Sequence, residues 1–465
     1  MSDPLRTLAG LVSQGWLVGG AVRDRALGRV TEDFDVAIPG PVAEVARALG
    51  RAAGGFVFEL SEAFGAWRVV AHDRSWQLDL LPVDDGGIEQ DLARRDLTIN
   101  AIAAPLHGSG YIDPFGGLDD LRERRLRAVA VDAFERDPLR TLRVARLACE
   151  LDFGVAPDTL VLARAAAPQL AAVAPERVFV ELRRVICSPA ALDGLELMDR
   201  IGATDAVLPE LSALRGVQQS RFHHLDVFDH TRAVLAETIA VERDPERITG
   251  DPAVAAALTR YLDEPLANEL TRGQALRFGA LLHDIAKPRT RGVSAEGRVT
   301  FMGHDELGAE MASAILTRLR ASERLRAHVA ALARHHLRLG FLVHRMPLSR
   351  REVYDYLTAC APVALDVTML SIADRLATRG DNAEPAIARH LELARQMIGE
   401  ALAFEDDPPR APVRGDELAD ALHIRRGPRV GALLAELEAA AFTGEISDRD
   451  GAIAYARRIL DGEQP

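Results

Sequence analysis

Residues 19–24 of the chain read GGAVRD, and residues 32–38 read EDFDVAI. The second stretch is apolar after two closely spaced acids, which predicts a β-strand. Because side chains alternate along a strand, Asp33 and Asp35 then face the same side. Two clustered carboxylates suit Mg²⁺, which takes its remaining ligands from water and phosphate oxygens. The spacing therefore predicts a magnesium site on this strand.

Gly19 and Gly20 follow a short apolar run that we predict to be another strand. Glycines at this place let the backbone approach a triphosphate closely, and Arg23 adds a positive charge nearby. A third carboxylate, Asp79, lies on a further predicted strand that can run beside the first. Without these neighbours, a glycine turn before a solvated acidic strand would explain the pattern equally well. Three acids are the candidate catalytic residues: Asp33, Asp35 and Asp79.

A third motif, RRDLTINA at residues 94–101, has the chemistry to hold a nucleotide. Asp96 can accept a hydrogen bond from a ribose hydroxyl, which would favour ribonucleotides over deoxyribonucleotides. Arg95 and Asn100 can donate hydrogen bonds to phosphate oxygens. The alternative is the charged start of a helix, which requires no ligand.

A fourth motif, ERDPLR at residues 135–140, places Asp137 three residues before Arg140. We expect a helix start here, with Pro138 at an early helical position and both charged side chains on one face. An arginine donor and a carboxylate acceptor can match the Watson–Crick edge of cytosine and, after a small rotation, that of adenine. The alternative is a solvated salt bridge along one helix.

The four motifs, in this order, resemble the signature of the class II tRNA nucleotidyltransferase and bacterial poly(A) polymerase family. The resemblance implies template-independent addition of nucleotides to an RNA 3′ end, with Mg²⁺ held by Asp33 and Asp35. It implies that Asp137 and Arg140 read the incoming base in place of a template. The chain departs from the family at Arg136, where an acid is usual. The resemblance implies these nucleotide-binding residues: Gly19, Gly20, Arg23, Arg95, Asp96, Asn100, Asp137, Arg140 and Arg143.

The third quarter of the chain is rich in histidine and aspartate. The ordered set His…His-Asp…Asp resembles the HD superfamily of metal-dependent phosphohydrolases. Imidazole and carboxylate ligands suit Mn²⁺, Fe²⁺, Ni²⁺ or Co²⁺ better than Mg²⁺ alone. One metal would be held by His230, His283, Asp284 and Asp374. A second would be held by His304 and His335, with His336 as the alternative to His335.

Length and periodicity predict a multidomain α+β protein, since 465 residues exceed what one core usually holds. We expect a small mixed α/β nucleotidyltransferase head at residues 1–125 and an all-α neck at residues 126–215. An all-α HD domain would follow at residues 216–395, and a helical tail at residues 396–465. Within the last junction, the proline-rich residues 406–412 have the composition of a linker.

The amino-acid composition restricts the kinds of partner that the chain is expected to bind. The net charge is −13, so the chain as a whole is not a basic nucleic-acid binder, although residues 121–150 carry eight arginines against five acids. We take the arginines of residues 122–146 as candidates for contacting the acceptor stem of tRNA. The three cysteines, which are far apart, and the lack of a long apolar run predict a cytoplasmic protein that does not span a membrane. The oligomeric state stays open.

The motifs are shared by enzymes that add CCA, CC, A or poly(A), so other features have to distinguish these activities. The acidic balance disfavours a poly(A) polymerase, which must hold RNA of any sequence through phosphate contacts. Residues 84–93 form a short connection between the nucleotide motifs, as in CC-adding enzymes. We expect a CCA-adding enzyme that uses CTP, ATP and the tRNA 3′ end. The alternatives are CC- or A-adding enzymes, a poly(A) polymerase, and an HD phosphohydrolase with an RNA-binding head.

Overall fold

The computed structural model describes residues 3–61, 65–220, 223–381 and 383–462. The chain forms two compact units, Met1–Val207 and Leu208–Pro465.

The first unit begins with a six-stranded sheet in the order β3-β4-β5-β2-β1-β6. Only β2 and β5 run parallel, and the other neighbouring pairs are antiparallel. The strands are β1 Trp16–Val18, β2 Asp33–Ile38, β3 Gly55–Ser61, β4 Ala66–Ala71, β5 Gln77–Pro82 and β6 Ala103–Pro105. The helices of this part are α1 Pro4–Ala9, α2 Gly20–Ala26, α3 Val42–Ala53, α4 Gly87–Ala93 and α5 Gly117–Arg122.

The central strands of this sheet are the ones that the sequence predicts. Val36, Ala37 and Ile38 at the end of β2 are fully buried, as expected for an interior strand. The two edge strands, β3 and β6, were not predicted. On β3 the large apolar side chains of Phe56 and Phe58 are exposed, and β6 is only three residues long, so neither shows the usual burial pattern. Part of the short connection at residues 84–93 is helical, as α4.

The remainder of the first unit is mostly helical. A small parallel pair joins β7 Arg125–Leu126 to β8 Gly154–Val155. The helices are α6 Ala133–Arg136, α7 Arg140–Leu151, α8 Pro157–Ala166, α9 Pro175–Cys187, α10 Ala191–Arg200 and α11 Ala203–Val207. Single 3-10 segments occupy Thr98–Asn100 and Ala167–Ala172.

The predicted helix start at Pro138 is wrong by two residues, because α7 begins at Arg140. Asp137 has an extended backbone, with φ −148° and ψ 99°. The proline ring disfavours the helical region for the residue before it, which explains this conformation. Asp137 and Arg140 therefore do not lie on one helical face.

Where the structure describes it, the second unit is helical apart from two short antiparallel pairs. These join β9 Pro265–Ala267 to β10 Leu270–Thr271 and β11 Arg291–Val293 to β12 Val299–Phe301. Its first helices are α12 Pro209–Ser212, α13 Val227–Arg243, α14 Glu246–Thr249, α15 Pro252–Leu262, α16 Arg272–Leu282 and α17 Lys287–Thr290. They are followed by α18 His304–Arg318, α19 Glu323–His335, α20 Arg338–Leu342, a 3-10 turn at Val343–Arg345, α21 Arg350–Ala359 and α22 Ala364–Ala377. Helix α22 packs against both α13 and α16, which makes it a central helix of this unit.

The long helix α23, Ala383–Asp406, continues through the domain boundary that the sequence predicts at residue 395. Non-helical chain follows it, in the segment predicted to be a linker. The last three helices are α24 Gly415–Leu422, α25 Pro428–Thr443 and α26 Arg449–Leu460. They bury a small core of their own around Leu418, Leu437 and Tyr455. The observed architecture confirms the predicted fold class, a small mixed α/β head followed by helical parts.

No single helix in the described ranges is both long and apolar enough to cross a membrane. Helices α21 and α22, which are bent by 97° at the break between them, meet that criterion only as a pair and only by length and composition.

Candidate active sites

Gly19 begins the first site with a backbone conformation that only glycine adopts easily. Its φ is +68° and its ψ is −138°, between β1 and α2. A β-carbon at this position would lie 2.9 Å from Arg95 Nη1 and 3.1 Å from Asp35 Oδ2. The glycine therefore serves two purposes: it allows the turn, and it leaves room for two charged side chains that the sequence analysis placed in the site.

Asp33 and Asp35 lie on β2, as predicted, with Asp33 exposed and Asp35 half-buried. Burial raises the pKa of Asp35 to about 6, against the opposing effect of Arg95. Asp79 lies directly opposite Asp35 on the parallel neighbour β5. Asp79 is buried, and both of its oxygens accept hydrogen bonds from Arg68, at 2.6 and 2.7 Å. The sequence analysis did not identify Arg68, because its partner lies on another strand.

The RRDLTINA motif forms one wall of the site. Arg23 Nη1 donates to Asn100 Oδ1 at 2.9 Å, which joins α2 to this motif. Asn100 Nδ2 donates in turn to Asp96 Oδ1 at 3.0 Å. Arg95 is held by Asp91, with 3.0 Å between Nη2 and Oδ2. These contacts orient the side chains that the sequence analysis assigned to ribose and phosphate.

Asp96 is buried and carries a negative charge. Its Oδ2 lies 2.9 Å from Arg143 Nε on α7. Burial opposes ionisation, but the Arg143 charge and the hydrogen bonds from Asn100 and the Leu97 amide lower the pKa of Asp96 below its usual value. The carboxylate is thus ready to accept hydrogen bonds at any physiological pH.

Asp137 and Arg140 have separate partners instead of pairing with each other. Asp137 Oδ2 accepts from Arg177 Nη2 at 2.7 Å. Arg140 donates to the backbone carbonyls of Arg94 and Arg95, at 2.7 and 3.2 Å. The alternative of a simple salt bridge along one helix therefore does not describe this pair.

A cavity of about 540 Å³ joins these residues. Asp79, alone among the predicted residues of the first site, does not line it. Two further arginines, Arg146 and Arg184, line the cavity but were not assigned to nucleotide binding. Arg184 lies seven residues after Arg177 on α9, a spacing that could have revealed it. The predicted residues that line the cavity are Gly19, Gly20, Arg23, Asp33, Asp35, Arg95, Asp96, Asn100, Asp137, Arg140 and Arg143.

The second site is centred on Asp284, in the second unit. Asp284 Oδ2 lies 3.1 Å from His283 Nε2 and 3.7 Å from His230 Nε2. Asp374 closes this side, with its Oδ1 3.0 Å from His230 Nε2. Asp284 Oδ1 lies 3.4 Å from His304 Nε2 and 3.8 Å from His336 Nε2.

Three histidines of this site are oriented in the same way. The Nδ1 atoms of His283, His304 and His336 each lie within 2.9 Å of the carbonyl oxygen of the residue three positions earlier. In a neutral ring, donation from Nδ1 to a carbonyl leaves Nε2 unprotonated and directed toward Asp284, as metal-ligating histidines require. Burial lowers the pKa of His336 to about 4, which also favours the neutral ring.

The choice of His335 as a ligand is corrected to His336. The structure groups His336 with Asp284 and His304, whereas His335 lies half-exposed at the end of α19 and accepts a hydrogen bond from Arg338. Consecutive helical residues point about 100° apart, so only one of the two can face the site. The sequence could not decide which one without the position of the helix.

The second site fits divalent metal ions. The ligand atoms form two overlapping groups that share Asp284: His230–His283–Asp284 and Asp284–His304–His336. The Nε2 atoms of His230 and His283 and both Asp284 oxygens are buried and make no hydrogen bond of regular geometry to the described residues. Lys287 Nζ also approaches Asp284 Oδ2, at 2.6 Å. A cavity of about 880 Å³ opens onto this cluster.

Three family models match the chain. The poly A polymerase head domain matches residues 15–127, the probable RNA and SrmB-binding site of polymerase A matches residues 152–214, and the HD domain matches residues 227–379. The residues of the first site up to Asn100 lie within the first match, and the second site lies within the third. Asp137, Arg140 and Arg143 lie between the first two matches. Head and HD families of these kinds use divalent metal ions.

Curated relatives resemble the chain over nearly its whole length. The A-adding tRNA nucleotidyltransferase of Deinococcus radiodurans is 37% identical and covers 95% of this chain and 94% of its own. The CC-adding enzyme of Thermus thermophilus is 35% identical, over 94% and 92%. A multifunctional CCA protein of Halorhodospira halophila is 34% identical, over 73% and 77%. The chain therefore belongs to the family of CCA-, CC- and A-adding tRNA nucleotidyltransferases, and it is an enzyme of that kind.

Solved structures share the fold at low identity. An apo CCA-adding enzyme aligns with a TM-score of 0.65 at 18% identity, covering 98% of this chain and 92% of its own. The Thermotoga maritima CCA-adding enzyme complexed with tRNA_CCA aligns with a TM-score of 0.62, also at 18% identity, over 98% and 94%.

Proposed function

We propose that the chain builds the 3′-terminal CCA of tRNA from CTP and ATP and releases pyrophosphate. One observation carries this proposal: Asp33 and Asp35 line the same cavity as Asp137 and Arg140. The first pair suits nucleotidyl transfer, and the second suits reading of a base edge. A single cavity with both features can select a nucleotide without a template.

Other residues of the first site can each bind a particular part of the nucleotide. The ionised Asp96 accepts from a ribose hydroxyl, and Arg23 and Arg95 offer positive charge to phosphates. Arg177 donates to Asp137 Oδ2, and the Leu139 amide donates to Oδ1 at 3.3 Å. These bonds orient the carboxylate, whose remaining lone pairs can accept from the exocyclic amine of cytosine or adenine. Bound Mg²⁺, held by Asp33 and Asp35, would neutralise the pyrophosphate and favour ionisation of the RNA 3′-hydroxyl.

Addition of CC alone is the second candidate, because the connections near the site are short. Five residues, 72–76, join β4 to β5, and four residues, 83–86, join β5 to α4. Such connections leave little mobile chain to change the nucleotide preference from CTP to ATP. One relative is named as an A-adding enzyme and another as a CC-adding enzyme, so addition of CC alone and addition of A alone are both alternatives for this chain.

Nucleotide incorporation separates these activities. One tRNA transcript ends at the discriminator base and another already ends in CC, and each is incubated with CTP, ATP or both. Two cytidines followed by one adenosine and a stop would support CCA addition. A stop after two cytidines would indicate a CC-adding enzyme, and adenosine added only to the CC-ending transcript would indicate an A-adding one. Long adenosine tracts or no incorporation would refute the proposal.

The arginines of residues 122–146 fall into three groups. Arg125 and Arg127 pair with the buried Asp120, and Arg140, Arg143 and Arg146 line the first cavity. We therefore restrict the proposed contact with the acceptor stem to Arg122, Arg124 and Arg136, whose side chains are at least 44% exposed. Unchanged tRNA affinity after substitution of all three would refute this assignment.

We further propose that the second site hydrolyses phosphate esters at RNA 3′ ends, such as 2′,3′-cyclic or 3′-phosphates, with Mn²⁺, Fe²⁺, Ni²⁺ or Co²⁺. The observation that favours this activity is the cluster of four histidines and two aspartates, which reaches one cavity through His304, His336, Asp284 and Asp374. Removal of such groups would leave the free 3′-hydroxyl that nucleotide addition requires.

The test of the second activity compares oligoribonucleotides with 2′,3′-cyclic and 3′-phosphate ends, incubated with metal-loaded protein. The matched control carries Asp33→Ala and Asp35→Ala, which should abolish nucleotide addition and leave hydrolysis intact. Substrates untouched by the metal-loaded protein would exclude this activity. We also propose that the chain lies in the cytoplasm, where its three cysteines, none of which forms a disulfide, stay reduced.

A further inference from the structure

Three charged side chains form a row across the sheet beneath the first site. Arg68 on β4 lies directly opposite Asp79 on β5, and Asp79 lies directly opposite Asp35 on β2. Side chains at opposed positions of neighbouring strands point to the same face of a sheet. Arg68 therefore lies two strands away from Asp35, with Asp79 between them.

Arg68 holds Asp79 through both oxygens. Its Nε lies 2.6 Å from Oδ1 and its Nη2 lies 2.7 Å from Oδ2. The Asp79 side chain is 9% exposed and that of Arg68 is 27% exposed, so water screens this pair only weakly. Two parallel charge-assisted hydrogen bonds fix both the orientation and the charge of a carboxylate. Among the described residues, Arg68 makes no other side-chain hydrogen bond.

The pairing has a consequence for the metal site. Asp33 and Asp35 line the cavity, whereas Asp79 does not. Each Asp79 oxygen already accepts a short charge-assisted hydrogen bond from the guanidinium, which competes with a cation for the same carboxylate. Arg68 also compensates a negative charge that would otherwise act on the site beside Asp35.

We propose that Arg68 is a positioning residue that sets how tightly the first site binds its divalent cation. It does so by holding Asp79 through both oxygens, so that Asp33 and Asp35 supply the ligands from the protein. The proposal rests on the nucleotidyl-transfer function of this site. Loss of the guanidinium frees a third carboxylate next to Asp35, and the added negative charge strengthens cation binding.

The test replaces Arg68 by glutamine and measures metal binding without relying on catalysis. Fe²⁺ with ascorbate cleaves the backbone next to bound metal, and fragment size separates cleavage near residues 33–35 from cleavage in the HD domain. We expect the Fe²⁺ concentration for half-maximal cleavage near residues 33–35 to fall about tenfold, because an uncompensated unit charge lies a few ångström away. HD-domain cleavage is the internal control and stays unchanged.

Arg47→Gln is the matched control variant. Arg47 lies over the Trp67 ring at 4.8 Å, and Trp67 neighbours Arg68 on β4 but points to the opposite face. This variant removes an arginine from the same domain without freeing Asp79, so its half-maximal Fe²⁺ concentration should equal that of the unmodified chain. The Mg²⁺ dependence of nucleotide incorporation should shift in the same direction for Arg68→Gln, with the KM for CTP unchanged.

Two further variants make the result decisive. In Arg68→Gln/Asp79→Asn no carboxylate is freed, so cation binding should return to that of the unmodified chain. Arg68→Lys keeps a charge but loses the paired hydrogen bonds, and should give a smaller shift in the same direction. Unchanged or weaker Fe²⁺ binding in Arg68→Gln, or a shift that persists in the double variant, would overturn the proposal. Absence of incorporation by the unmodified chain would instead refute the proposed function and leave the Fe²⁺ measurement valid.

Discussion

Substitution of Gly19 by alanine should disable the first site while leaving the fold intact. The residue has a φ of +68° and a ψ of −138°, a conformation that costs a residue with a β-carbon on the order of 1–3 kcal/mol. The added methyl group would also lie 2.9 Å from Arg95 Nη1 and 3.1 Å from Asp35 Oδ2. Both side chains then have to shift within the cavity that we propose binds the nucleotide.

Gly19→Ala should lower both the activity and the stability of the protein. A displacement of about 1 Å in an active site can cost about 100-fold in rate, so we expect kcat/KM for nucleotide incorporation to fall about 10- to 100-fold. The free energy of unfolding of the head should fall by about 1–3 kcal/mol, measured by urea denaturation.

Gly28→Ala is the matched control for this prediction. Gly28 has a φ of +71°, but nothing lies within 4 Å of the β-carbon that would be added. We expect a loss of stability in the same range and incorporation close to that of the unmodified chain. Equal loss of incorporation in both variants would show that backbone strain alone is responsible. Full activity of Gly19→Ala would refute the close approach to Asp35 and Arg95.

Two other predictions concern metal and pH. His336→Ala should reduce the Mn²⁺ retained per chain after desalting, measured by elemental analysis, whereas His335→Ala should not; the opposite result would restore His335 as the ligand. Asp35→Asn should abolish incorporation yet raise the urea midpoint at pH 7.5 in EDTA. Burial raises the pKa of Asp35 to about 6 from a usual 3.8, so its protonated form stabilises the fold at low pH and this stabilisation is lost as the pH rises through 6. The difference between the variant and the unmodified chain should therefore disappear near pH 4, and a constant difference would contradict the assigned pKa.

Much of the first site could be predicted from patterns of residues that are neighbours in the sequence. The strands β1 and β2 follow from short apolar runs, and the placement of Asp33 and Asp35 on one face follows from their spacing of two residues. The glycine turn and the order of the motifs could also be predicted from the sequence, because each depends on residues that are neighbours in the chain. The fold class follows for the same reason, since strand-like and helical periodicities occupy separate parts of the sequence.

Contacts between residues that are far apart in the sequence could not be predicted from it. The pairing of Arg68 with Asp79 and of Arg177 with Asp137 joins residues 11 and 40 positions apart. The edge strand β3 was missed because its exposed phenylalanines break the expected burial pattern. The choice between His335 and His336 depended on how α19 is rotated against its neighbours, and one helical position changes the direction of a side chain by about 100°. The sequence by itself determines the chemistry of each residue and the local periodicity that predicts strands and helices. The contacts of each side chain are decided only when the strands and helices pack against one another.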